Sequence, residues 1–136
     1  MDNFRIAVKS FIVNSENKIL LIKRRSNDVH KPGSWNIHSG RLKPGEDPFL
    51  GLKRKTKEET NIDIEIMNPL DVQHFIRDDN QIITMLIFLC KPLHNNIKLS
   101  EEHTEFQWTN IDNKEQIPNW LLSSANNFLK FYNKNI

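Results

Sequence analysis

An α/β fold, with a mixed β-sheet and a helix on each face, is what the residues of this chain predict. Two observations carry it. Short apolar or alternating runs of strand length recur along the chain, and two segments, 47–61 and 117–132, carry helix signals instead. Strands interleaved with two helices fit a sheet covered on both sides. The length, 136 residues, favours a single domain over residues 1–136 with one core.

Residues 4–13 alternate loosely and read as a strand, residues 14–17 as its turn, and 18–23 (KILLIK) as the next strand. Residues 26–33 hold Asn, Asp, Pro and Gly and read as a loop, followed by a short strand at 35–38. Pro44-Gly45 marks a turn. Asp47 is a good N-cap, and Pro48 suits the first helical position, where its missing N–H costs nothing. Asn61 tolerates the left-handed conformation that closes many helices. Phe49, Leu52 and Thr56 form the helix's narrow packing stripe. Two strands are predicted at 62–67 and 72–77. Asp78-Asp79-Asn80 makes a hairpin turn before a buried strand at 82–90. A polar loop at 92–100 and a last strand at 106–111 precede an amphipathic helix over 117–132. That helix turns Trp120, Leu121, Ala125, Phe128, Leu129 and Tyr132 inward.

Composition removes several functions. Charged residues make up 26% of the chain and the net charge is +2, so no strong field argues for nucleic acid or an anionic membrane. The cluster Lys23-Arg24-Arg25 is short enough to be a solvated strand end. The single Cys90 excludes an internal disulfide framework and fits a reducing cytoplasm. Its apolar run, ITMLIFLC, is far too short to span a bilayer and marks a buried thiol rather than a nucleophile. The first ten residues lack the layout of a signal peptide.

The chemistry concentrates between Gly40 and Ile62, GRLKPGEDPFLGLKRKTKEETNI. Lys55, Glu58 and Glu59 project beside the packing stripe, because residues three and four apart share a helix face. Two adjacent carboxylates at a helix end, facing a glycine-bearing loop, suit a hard divalent cation such as Mg²⁺. Arg24, Arg25 and Arg5 are candidate phosphate contacts, and Trp35, Phe75 and Trp120 candidate base-stacking surfaces. A solvated Glu/Lys helix, with Lys55 paired to Glu59, is the plainer account of the same residues.

This stretch resembles the box of the Nudix (MutT-like) hydrolases: G, five residues, E, seven residues, then R-E-U-x-E-E-x-G-U, with U a bulky aliphatic. Gly40, Glu46, Arg54, Glu58, Glu59 and Ile62 match in register; Lys55, Thr56 and Asn61 depart from it. The resemblance implies an α/β/α sandwich. It also implies hydrolysis, with Mg²⁺ (Mn²⁺ possible), of the diphosphate linkage in a nucleoside diphosphate joined to another moiety. The substrate would be a nucleoside triphosphate, a dinucleoside polyphosphate, ADP-ribose or a nucleotide sugar. Glu58 and Glu59 would ligate the metal with a backbone carbonyl near Gly40, and Arg54 would pair with Glu46 to brace the loop.

Residues 99–108, LSEEHTEFQW, are similar to a segment of the Nudix enzymes that act on diadenosine tetraphosphate. That likeness makes Glu102 and Glu105 candidates for a further ligand or a general base, with His103 an outsider. The family commonly uses the position of Lys55 for a ligand or base. Two readings follow: a site with fewer metal ions in which Lys55 touches phosphate, or a noncatalytic nucleotide-binding domain. Nudix relatives that hydrolyse GDP-sugars also lack this Glu. The phrase WNIHSGRLKPGE is also similar to the isopentenyl diphosphate isomerases, which share the fold but need a catalytic Cys near this stretch. Asn36, Ile37, His38 and Ser39 supply none. His38 then reads as a hydrogen-bonded strand residue. Monomer and homodimer are both left open.

Overall fold

The computed structural model describes residues 3–25 and 34–132; the loop expected at 26–33 lies outside them. The described strands are β1 (Phe4–Ile12), β2 (Lys18–Arg24), β3 (Trp35–Asn36), β4 (Ser39–Arg41), β5 (Ile64–Ile76), β6 (Ile82–Pro92) and β7 (His103–Asn110). The helices are α1 (Pro48–Thr60) and α2 (Leu122–Phe131). They form a mixed four-stranded sheet, β4-β1-β6-β5, and an antiparallel three-stranded sheet, β3-β2-β7. β1 and β6 run parallel from Phe4 opposite Ile82 to Ile12 opposite Cys90.

Strand alternation divides the apolar residues between two cores. Phe11, Ile19, Leu21, Met85, Ile87 and Leu89 turn to one face and pack with Leu121, Ala125 and Phe128 of the α2 region. Val8, Ile12, Leu20, Ile22, Phe88 and Cys90 turn to the other and pack with Leu52 of α1 and Ile62. The sandwich follows from this two-sided burial. Burial also pushes the Cys90 thiol up to about 12, so it stays an unionised core group.

Where the structure departs from the sequence reading, the causes are local. The strands expected at 62–67 and 72–77 are one strand, β5, with register shifts between Ile66 and Asn68 and between Pro69 and Asp71. Pro69 keeps its place opposite Phe88, between irregularities that skip Met67 and Leu70, and is tolerated because β5 is a sheet edge. The strand expected at 35–38 breaks after Asn36, and β3 and β4 join different sheets. The last strand begins three residues earlier than expected, at His103.

The C-terminal helix starts as a 3₁₀ turn, Asn119–Leu121, and becomes α-helical only at Leu122. Tyr132 is 40% exposed rather than inward. The helix is held to β5 by polar groups: Ser123 and Ser124 both donate to Asp71 at 2.7 Å. Asn127 donates to the Leu70 carbonyl at 3.1 Å. Phe49 is half exposed, although its ring lies 5.4 Å from that of Phe88. No described helix is long and apolar enough to cross a membrane.

A cleft at the end of the first helix

Helix α1 is set at both ends by its own sequence. Asp47 accepts hydrogen bonds from the Phe49 and Leu50 amides at 2.8 and 3.2 Å, satisfying two of the orphan donors of the first turn. Asn61 closes the helix at φ 65°. The last carbonyls are taken up from outside. The Lys98 amide donates to Thr60 at 2.9 Å and the Ser100 amide to Glu59 at 3.0 Å. The Asn61 side chain adds a bond to the Asn96 carbonyl at 2.9 Å. Segment 93–102 is thereby laid along the helix end, and Glu102 and His103 arrive beside Glu59. The Arg25 amide donates to the Glu102 carbonyl at 3.1 Å and ties the other side of the segment to β2.

These elements enclose an open cleft of about 440 Å³ lined by Arg25, Lys55, Glu58, Glu59, Ser100 and Glu102 among others. Glu59 is its inner carboxylate, with a side chain only 12% exposed. One of its oxygens lies 3.2 Å from His38 Nδ1 and the other 3.8 Å from His103 Nδ1. Burial raises the Glu59 pKa, but His38, His103 and Lys55 together outweigh it and hold the carboxyl below its ordinary range. Glu59, Glu102 and His103 offer ligand atoms that all lie within 4.8 Å of one another. Carboxylate oxygens and an imidazole nitrogen fit a divalent cation.

Glu58 stands differently. Its side chain is 52% exposed and accepts a 3.1 Å bond from Arg54 Nη1. The other arm of Arg54 donates to Glu46 at 2.8 Å. Glu46 also accepts from the Lys43 amide at 3.0 Å; that bond and Arg54 hold its carboxyl below the ordinary range. Gly51 makes room for this brace. A Cβ there would lie 3.0 Å from Glu46 Cδ and 3.1 Å from Leu42 Cδ2. Gly40 serves the same purpose for Lys55, whose Cγ would lie 2.8 Å from an added Cβ. Glu46→Ala and Arg54→Ala should each destabilise the fold, and the double variant should lose less than the sum. A double-mutant cycle in urea showing strict additivity would remove the brace.

The structure brings Glu58, Glu59, Glu102, Lys55 and Arg25 to one cleft. It does not bring Glu105, which is largely exposed and pairs with Lys23 at 3.3 Å. Arg24 and Arg5 are not among the described residues lining the cleft, and Arg5 donates to the neighbouring Phe4 carbonyl. Trp35, Phe75 and Trp120 are also absent from that lining. Lys23 sits over the Trp35 ring at 5.8 Å and Lys9 over Trp120 at 4.8 Å.

Sequence reasoning gave His103 only an outsider's place and read His38 as a hydrogen-bonded strand residue. His38 is buried between β3 and β4, with neither ring nitrogen in an aligned hydrogen bond. The shift of pairing from Lys23–Glu105 to Arg24–His103 skips Thr104 and sets His103 opposite Arg24. The position of His38 two residues before Gly40 was the signal left unused.

The family model of the NUDIX domain matches residues 3–126. A MutT-like protein of Streptomyces ambofaciens is 29% identical over 107 residues, 79% of this chain and 64% of that protein. The chain spans less than two thirds of the length of that relative, and only 33% of a longer Nudix relative. Among solved structures, a MutT protein from Methanosarcina mazei superposes with a TM-score of 0.79 at 23% identity, covering 97% of this chain and 95% of its own. An Ap4A hydrolase from C. elegans superposes with a TM-score of 0.76 at 22% identity, covering 93% and 96%. With this match spanning the described sandwich and its cleft, the chain belongs to the NUDIX domain family.

Proposed function

We propose that this chain hydrolyses the diphosphate linkage of a nucleoside diphosphate joined to another moiety, with Mg²⁺ or Mn²⁺ as cofactor, in a reducing cytoplasm. The observation that carries the reading is the convergence of Glu59 and Glu102 with His103 at the end of α1, in a cleft that also offers cationic side chains. Glu59, Glu102 and His103 are the proposed ligands. A divalent cation held by these residues would neutralise phosphate charge and polarise the scissile linkage.

The chain's own groups supply the rest. With Glu102 engaged as a ligand, Glu58, half exposed in the same cleft, is the carboxylate suited to accept a proton from the attacking water. Lys55 and Arg25 face the same space and are suited to the non-bridging phosphate oxygens. The P–O bond of the linkage breaks as the water oxygen bonds to phosphorus, and the leaving phosphate departs as an anion. Dinucleoside polyphosphates head the list of substrates, supported by the L-S-E-E-H segment and by the likeness to an Ap4A hydrolase.

One observation favours a second reading, a noncatalytic nucleotide-binding domain: Lys55 puts a cation where the box carries a carboxylate. A phosphate-release screen over nucleoside triphosphates, dinucleoside polyphosphates, ADP-ribose and nucleotide sugars, with Mg²⁺ and with Mn²⁺, separates the two. Turnover of about 1 s⁻¹ or more on any class is the expected result. Silence on all four, with nucleotide binding retained, would leave the binding domain.

A further inference from the structure

Helix α1 carries Lys55 where a third carboxylate would complete an all-oxygen set, and the groups gathered around Glu59 in its place are imidazoles. We infer that the metal centre of this chain is a mixed nitrogen–oxygen site: Glu59, Glu102 and His103 ligate a d-block divalent cation in the Mn²⁺ to Zn²⁺ range in preference to Mg²⁺, and His38 braces Glu59. The inference rests on the proposed hydrolase only in taking the same cleft as its metal site.

Three observations carry it. The three donor groups lie within 4.8 Å of one another, close enough for small side-chain adjustments to bring them onto one ion. His103 is almost fully buried at the start of β7 and fixed in place by its amide bond to the Ser100 carbonyl at 3.2 Å. The amide bond sets the backbone, and the ring itself is 6% exposed with Nδ1 3.8 Å from Glu59 Oε1. His38 is 3% exposed, and neither ring nitrogen has an aligned hydrogen bond. Its Nδ1 lies 3.2 Å from Glu59 Oε2, so a small ring rotation makes it a donor to that carboxylate. An outer partner of this kind fixes which lone pairs a ligating carboxylate presents.

The metal preference follows from the donors. Mg²⁺ depends on charged oxygens, keeps much of its water and gains little from imidazole. Nitrogen donors favour d-block ions, increasingly from Mn²⁺ toward Zn²⁺ among the ions relevant here. With Lys55 adding positive charge beside Glu59, the electrostatic attraction on which Mg²⁺ relies is weakened, while the bond to imidazole is not.

The test uses the intact chain and two readouts that need no turnover. Calorimetric titration with Mg²⁺, Mn²⁺ and Zn²⁺ should give Mn²⁺ binding at least about tenfold tighter than Mg²⁺, and Zn²⁺ tighter again. Pulsed EPR of the Mn²⁺ complex should show ¹⁴N coupling from one imidazole. His103→Gln should abolish that coupling and narrow the gap between Mn²⁺ and Mg²⁺. His38→Gln should keep the coupling while weakening all three ions. An all-oxygen Mn²⁺ spectrum for the unmodified chain would overturn the inference, and it decides the matter even if the His103 variant fails to fold. Nitrogen-coupled Mn²⁺ without hydrolysis would sink the hydrolase reading and keep this one. Hydrolysis alongside an all-oxygen spectrum would do the reverse.

Discussion

Glu59→Gln should cost about 100-fold or more in divalent-metal affinity, and any hydrolysis should fall with it. Changing partners that merely orient a ligand typically costs about 10- to 100-fold, and Glu59 is proposed as a ligand. Its side chain is 12% exposed and stands between His38 and His103. The amide is nearly isosteric, so packing is kept while the anion is lost. Glu58→Gln is the internal comparison. That carboxylate is half in solvent and already paired to Arg54, so its neutralisation should cost several-fold less. Calorimetry on both variants, with circular dichroism to establish folding, checks the ordering. Equal losses, or unchanged metal binding in Glu59→Gln, would put the centre elsewhere.

Lys55→Glu should act in the opposite direction, tightening metal binding by about tenfold or more. The substitution removes a positive neighbour of Glu59 and returns a carboxylate one helical turn before it, and each change is worth on the order of 1 kcal/mol in a wet site. The stem of Lys55 lies against Gly40, whose missing Cβ leaves the space it occupies. The shorter Glu retains the same Cγ and should fit. Turnover measured beside affinity tells what the lysine does. A rise in both means that Lys55 only hampers the metal. Tighter metal with slower turnover means that it grips substrate phosphate. If metal affinity does not change, Lys55 is a surface residue and its role in the site is lost.

What could be read without coordinates was whatever local rules govern. Asp47, Pro48 and Asn61 mark their helix because capping and left-handed closure depend on neighbouring backbone alone. The two-sided sandwich was legible because strands interleave with two helices, and the unbroken apolar runs in KILLIK and ITMLIFLC suit strands covered on both faces. The strands expected at 62–67 and 72–77 are one because a proline such as Pro69, out of place in a central strand, is tolerated on an edge, and edge position is a property of the whole sheet. The role of Gly51 and the meeting of the two histidines at Glu59 were hidden for a related reason. A mid-helix glycine costs about 1 kcal/mol against alanine and so asks for a close neighbour, but Glu46 becomes that neighbour only once the loop folds back. His38 and His103 lie 65 positions apart in the chain, and only tertiary packing brings both to Glu59.

The unusual use of the last turn of α1 bears on motion. Its final carbonyls are bonded to the Lys98 and Ser100 amides rather than to water, so the turn and segment 93–102 cannot fray independently. They open and close as one cooperative unit, at a free energy set by both. Whatever occupies the cleft acts on that shared equilibrium. A ligand held between Glu59 and Glu102 would join the two halves of the unit, which the Thr60, Glu59 and Asn61 bonds already couple. The helix end would then work as a latch, with hydrogen exchange of the Lys98 and Ser100 amides expected to slow when the cleft is filled.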